Sequence, residues 1–171
     1  IGGGPGGYTA AFAAAKAGVD VTLVERAQLG GTCLHTGCIP TKTLLKSAQV
    51  YNYCTAAAHY GLELTGEVKP DLEKIVARSR NVAETMSKGI RFLLDKNGID
   101  LIQGFGRITV PGHLDVDGTD YEAEHIILAT GARPREMPFM PIDGEHIISS
   151  KQALTLTKLP QSMIVVGSGA I

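Results

Sequence analysis

The first 25 residues confine the fold more tightly than any other stretch. Gly2, Gly4 and Gly7 form G-x-G-x-x-G behind an apolar stub at Ile1, and an alanine-rich run over residues 6–16 follows, with Gly18 placed to cap it. Residues 19–25 (VDVTLVE) are β-branched and alternating, which predicts a strand. A strand, a glycine turn, a helix and a second strand make a βαβ unit, and that unit needs a parallel sheet. In such a turn the first glycine permits the tight bend, the second lets backbone approach a pyrophosphate, and the third lets helix and strand pack closely. Anionic oxygens then face the unpaired N–H groups of the helix N-terminus. The motif alone is weak in a chain with 21 glycines. Glu25 strengthens it: an acid closing the second strand can accept hydrogen bonds from a ribose, and it disfavours a 2′-phosphate. The plainer reading of Glu25 is a solvated strand end.

The rest of the chain continues as α/β. Pro40 suits the first turn of a helix expected to run to about His59. A second long helix, residues 71–96, carries Leu72, Ile75, Val76, Val82, Met86, Ile90 and Leu93 at helical spacing, a face for core or subunit contact. Short strands follow at 100–103, 106–110, 113–116 and 121–130, broken by Pro111-Gly112 and Asp117-Gly118 turns, so a β-meander is expected between α/β elements. After a linker with Pro134, Pro138 and Pro141 come a short helix near 150–156 and a buried strand, 163–166, entering a second glycine turn, Gly167-Ser168-Gly169-Ala170-Ile171. The expected fold is a Rossmann-like domain with an inserted meander, followed by the first strand of a second Rossmann-like domain.

The formal net charge of -1 offers no basic field for nucleic acid. No run approaches the ~20 apolar residues that span a bilayer. Three cysteines are too few for a disulfide scaffold, which fits a reducing compartment.

Two of those cysteines, Cys33 and Cys38, lie in the segment GGTCLHTGCIPTK, residues 30–42. A structural disulfide closing so short a loop adds only ~2 kcal/mol on the chain-entropy model. A zinc site could recruit Cys54 and His59, but on one helix these two would point to different faces. A redox pair needs one stabilised thiolate and one accessible thiol: Cys38 enters a helix, whose N-terminal dipole favours a thiolate, while Cys33 sits on a loop open to substrate. The redox reading is preferred. Lys42 would lie one turn beyond Cys38 on the same side, where a cation can stabilise a thiolate or an anionic cofactor; elsewhere it would be an ordinary exposed lysine. His35, His59, His113, His125 and His146 show no ligand spacing, and Cys54 reads as a small buried helical residue.

The glycines 2–7, Glu25, residues 30–42, Ala129-Thr130-Gly131-Ala132-Arg133-Pro134 and Gly167-Ser168-Gly169, in that order, resemble the pyridine nucleotide-disulfide oxidoreductase family. The resemblance covers the chain, and the cysteine segment is its most specific part. It implies an FAD-binding domain at 1–147, the start of an NAD-binding domain at 148–171, and a carboxy-terminal interface domain outside the chain that supplies a His-Glu base across a homodimer. It implies that Cys33 is the thiol exchanging with a dithiol substrate and Cys38 the thiol beside the flavin. FAD contacts are implied at Gly2, Gly4, Gly6, Gly7, Glu25, Arg26, Gly30, Gly31, Thr32, Lys42, Gly106, Ala129, Thr130 and Gly131, and NAD contacts at Gly167 and Gly169. Within the family the likeness is to the lipoamide-oxidising branch, which serves the dihydrolipoyl domain of 2-oxo acid dehydrogenase complexes; mercuric and glutathione reductases, and a non-catalytic nucleotide-binding piece, are the alternatives. A cytoplasmic or mitochondrial-matrix setting goes with it. His35-Thr36 stands where Asn-Val is frequent, and Thr41 where Ser is frequent. On this reading the 171-residue chain alone binds FAD poorly and does not turn over.

Overall fold

The computed structural model describes residues 1–169. It divides into two compact units, Ile1–His35 with Glu84–Arg133, and Thr36–Ala83 with the residues from Pro134 on.

In the first unit, helix α1 (Pro5–Lys16) starts one residue before the expected position, with Pro5 in the first turn, and ends at Ala17 ahead of the left-handed Gly18. Strand β1 (Thr22–Glu25) pairs in parallel with β2 (Asp100–Gln103), with Leu23 opposite Leu101 and Val24 opposite Ile102. Ile1 extends this sheet on the other side: Gly2 N–H donates to Val24 O at 2.8 Å, and Ala129 N–H donates to Ile1 O at 2.8 Å. Residues 125–130 form no regular strand, contrary to expectation, because their partner in the chain is the single residue Ile1, too short for a ladder.

The meander is present as β3 (Gly106–Val110), β4 (His113–Val116) and β5 (Thr119–Glu122), antiparallel throughout. Asp117 (φ 49°) and Gly118 (φ 91°) make the two-residue turn with positive φ at both positions that matches strand twist. Leu114 and Val116 of β4 pack on Val24, with Ile1 and Ile102 against them, so the meander and the parallel strands share one core.

Helix α2 (Gly31–His35) belongs to this unit, and helix α4 (Leu72–Lys96) enters it from the other. Along α4, Ser79, Ala83, Ile90 and Leu94 are buried and the expected Leu72, Ile75, Val76 and Val82 half-buried, while Met86 and Leu93 are each 42% exposed. A purely apolar search overlooks Ser79, whose hydroxyl donates to Val76 O at 2.8 Å.

In the second unit helix α3 (Cys38–Thr55) begins two residues ahead of Pro40 and ends before His59, which lies in a 3-10 turn, Ala57–Tyr60. The proline sits in the first turn, where its missing N–H breaks no intrahelical bond. Arg78 of α4 donates to Thr43 O at 3.2 Å. Helix α5 (Ser150–Ala153) is shorter than expected and opens on a Ser149/Gln152 capping box. The run 163–166 is not a buried strand: Ile164, Val165 and Val166 are 91%, 79% and 71% exposed, since no described strand lies alongside to take their backbone hydrogen bonds. The part of the second glycine turn at Ala170 and Ile171 lies outside the described residues.

Candidate functional site

Each fingerprint glycine has a separate steric reason. Gly2 has φ 103°, and a Cβ there would stand 2.2 Å from Ala129 O; at Gly7 it would stand 1.6 Å from Gly2 O. Gly4 is different, with its nearest neighbour, Gly31 Cα, at an ordinary 3.7 Å. Gly2 and Gly7 are therefore needed by the fold, and Gly4 leaves space above the helix N-terminus. Exposed Gly6 and half-buried Gly4 add no side chain there, so unpaired N–H groups of the first turn of α1 look onto a bare cradle that fits a pyrophosphate. Ala129 lines it, its methyl 3.7 Å from where a Gly6 Cβ would be; Thr130 and Gly131 (φ 74°) follow, both exposed.

Glu25 ends β1 as expected, and its carboxylate is engaged by backbone. Oε2 accepts from Gly3 N–H at 2.6 Å and Oε1 from Ala27 N–H at 2.7 Å. A carboxylate has about four lone-pair sites, so ribose hydroxyls can still be accepted alongside these two bonds. Arg26 is exposed, its guanidinium 5.9 Å from the Phe105 ring centroid. Gly106 serves the core: a side chain there would press on Val24, Ile1 and Leu114.

The glycine loop is joined to the first cysteine segment. Gly30 N–H donates to Gly3 O at 2.8 Å, and Gly31 (φ 55°) passes so near Gly4 that a Cβ would lie 2.8 Å from Gly4 Cα. Gly31 opens α2, so Cys33, expected on an open loop, instead lies half-buried on a short helix beside exposed Thr32, because the positive φ of Gly30 and Gly31 turns the chain directly into that helix. Leu29 O accepts from Ser87 Oγ at 2.8 Å and lies 2.9 Å from His35 Nε2, so it holds both ends of the short helix. Sequence reading missed Gly3, Ser87 and His35 in these roles. The middle glycine of the opening triplet, Gly3, and the unusual His35 were the available signals; Ser87 gave none.

In the second unit Cys38 is exposed and is the first residue of α3, behind Gly37. It therefore sits in the first turn, where the helix dipole favours a thiolate. Thr41 Oγ1 donates to Gly37 O at 2.7 Å, and Lys42 is exposed on the same helix. Among the described residues no three His, Cys, Asp or Glu side chains gather into a metal site, and Cys54 and His59 stand on different elements. Gly167 has φ 125°, and among the described residues neither it nor Gly169 has a neighbour within 4 Å of a Cβ position.

A parallel βαβ start and a bare glycine cradle, with the turn ahead of a cysteine-bearing helix hydrogen-bonded to it, define a nucleotide-binding protein as a class. The chain belongs to the pyridine nucleotide-disulphide oxidoreductase family, which it matches over residues 1–171. It is 44% identical to the dihydrolipoyl dehydrogenase of Rhizobium etli and 47% to that of Zymomonas mobilis, in each case over the whole of this chain. It spans 40% and 38% of their lengths. Among solved structures, LpdA from Mycobacterium tuberculosis superposes with a TM-score of 0.84 at 32% identity, over 94% of this chain and 37% of that one. The HOCl-induced flavoprotein disulfide reductase RclA from Escherichia coli gives 0.77 at 31%, over 94% and 34%. Among the described residues no helix is long and apolar enough to cross a membrane.

Proposed function

We propose that the intact protein is a dihydrolipoyl dehydrogenase, oxidising dihydrolipoamide carried on a lipoyl domain of a 2-oxo acid dehydrogenase complex, with NAD as final acceptor. The observation that carries this reading is the Gly30–Gly3 hydrogen bond, which ties the helix bearing Cys33 to the nucleotide cradle. The residues around that cradle, Gly2 to Gly7, Glu25, Gly30, Gly31 and Ala129 to Gly131, would hold FAD, with Arg26, Thr32, Lys42 and Gly106 as further contacts. Gly167 and Gly169 would open the NAD site, so that residues 1–147 and 148–171 belong to successive nucleotide domains. When bound, the isoalloxazine would supply two-electron acceptance from the dithiol and hydride donation to NAD.

The chain's own chemistry is thiol exchange. One substrate thiolate attacks Cys33 Sγ of the Cys33–Cys38 disulfide, forming a mixed disulfide and releasing Cys38 as a thiolate. The second substrate thiolate attacks the substrate sulfur in that bond, closes the lipoamide ring and releases Cys33. Two electrons then reside in the Cys33/Cys38 dithiol. A thiolate at the head of α3 is a good leaving group, because leaving is faster when the departing sulfur is stabilised. The base that takes the substrate proton would come from the partner subunit of a homodimer.

The test is the spectrum of the two-electron-reduced, full-length protein. A long-wavelength charge-transfer band should appear, vanish in Cys38→Ser and persist in Cys33→Ser. The reverse pattern would exchange the two roles. An enzyme with higher kcat/KM for NADP than NAD would instead fit a glutathione-reductase-type activity.

A further inference from the structure

We propose that Glu25 is a positioning residue for Cys33, acting through Gly3. The inference rests on the redox role given to Cys33 above and extends it to a residue whose expected contact was only a ribose. Three hydrogen bonds run in series from the Glu25 carboxylate to the cysteine helix: Gly3 N–H to Glu25 Oε2 at 2.6 Å, Gly30 N–H to Gly3 O at 2.8 Å, and Leu34 N–H to Gly30 O at 3.4 Å. Gly3 and Gly30 are both buried, so water is not at hand to replace a lost partner. Gly3 also cannot shift freely, since a Cβ there would already stand 2.9 Å from Leu29 Cδ2 and 3.1 Å from Glu25.

Helix α2 has five residues. So short a helix does not hold itself, and its orientation comes from what fixes its ends. Leu29 O, bonded to Ser87 and facing His35, fixes the approach and the exit. Gly30, bonded to Gly3, fixes the entry immediately before Cys33. Gly3 is in turn held by the carboxylate. Without the carboxylate, the buried Gly3 N–H must seek solvent, which opens the Gly3–Gly30 bond and frees the turn in front of Cys33.

The experiment uses the full-length protein, reduced with dithiothreitol, with FAD at saturation and again after flavin removal. Iodoacetamide labelling of Cys33 and of Cys54 is followed in the same sample by peptide mass spectrometry. Glu25→Ala should raise the Cys33-to-Cys54 rate ratio about tenfold, the scale of one lost hydrogen bond to a charged group. Glu25→Gln, whose amide oxygen can still accept from Gly3, should return the ratio to within about twofold of wild type. An unchanged or lowered ratio in Glu25→Ala, a parallel rise at Cys54, or a Gln variant as disturbed as the Ala variant overturns the proposal. If Glu25→Ala does not fold, amide exchange in the wild type decides: slow exchange at Gly30 supports the series, and exchange as fast as at exposed Gly66 overturns it. Flavin absorbance reads the nucleotide site separately. A protein that takes up no FAD refutes the proposed function, while the thiol ratios of the flavin-free chain still judge Glu25.

Discussion

The two glycine turns of this chain share a backbone signature and differ in everything around it. Gly2 and Gly167 both adopt positive φ, 103° and 125°. The first turn is enclosed by Ala129, Leu29, Glu25 and the Gly30-Gly31 turn; at the second, beyond exposed Val166, no neighbour among the described residues lies within 4 Å of a Cβ position at Gly167 or Gly169. Around Gly2 the site is a tertiary product, made where a helix, a strand and a second loop close on the bend. The difference also separates glycines the fold requires from glycines a ligand would require.

The largest expected effect tests the enclosed turn. Gly7→Ala places a methyl 1.6 Å from Gly2 O and should cost ~3 kcal/mol or more in urea unfolding of the full-length protein, with loss of flavin. A variant of unchanged stability would break the comparison at its root. Next is Gly4→Ala, which has ordinary room: stability should stay within ~0.5 kcal/mol, and FAD affinity should fall by roughly tenfold or more, read by fluorescence titration of the apoprotein. Gly169→Ala should likewise leave stability within ~0.5 kcal/mol and raise the KM for NAD, with flavin content unchanged. A stability loss as large as that of Gly7→Ala would mean that the second turn is also enclosed in the intact protein.

The meander gives a baseline away from both turns. Asp117→Ala puts a residue that resists positive φ at 49° and removes the carboxylate facing Phe105 N–H, so ~1–2 kcal/mol should be lost without any change in flavin affinity. The smallest effect belongs to His113, whose Nδ1 lies 2.9 Å from Asp120 Oδ2. The bond to Asp120 raises the His113 pKa above its usual 6.5. A raised histidine stabilises the fold fully below the unfolded-state value and loses that contribution as pH rises through the folded-state value. Thermal melts should therefore fall slightly from pH 6 upward, and Asp120→Asn should flatten the slope.

Elements with local causes were legible in the sequence. Gly18 ends α1, Asp117-Gly118 sets the hairpin, and two meander strands, 106–110 and 113–116, lie where alternation and turns place them, while the third runs 119–122 rather than 121–130. What failed depended on partners distant in sequence. Residues 125–130 and 163–166 have strand composition, but a strand exists only beside another. On α4 the apolar spacing picks out Ile90 but not the buried Ser79 and Ala83, whose small side chains carry little apolar signal. In the site, the cysteine pair and glycine loop were visible as patterns, and Glu25 as an acid at the right strand end. Its bond to Gly3 was not, because a backbone N–H leaves no mark in a sequence.

The Asp117-Gly118 hairpin also bears on engineering. The tip is exposed, no atom lies within 4 Å of where a Gly118 Cβ would project, and the useful carboxylate belongs to Asp117. A splice between Gly118 and Thr119 would keep that carboxylate in place, and lengthening a flexible loop costs only ~0.6 kcal/mol per doubling. An affinity tag or fluorescent reporter could be inserted there.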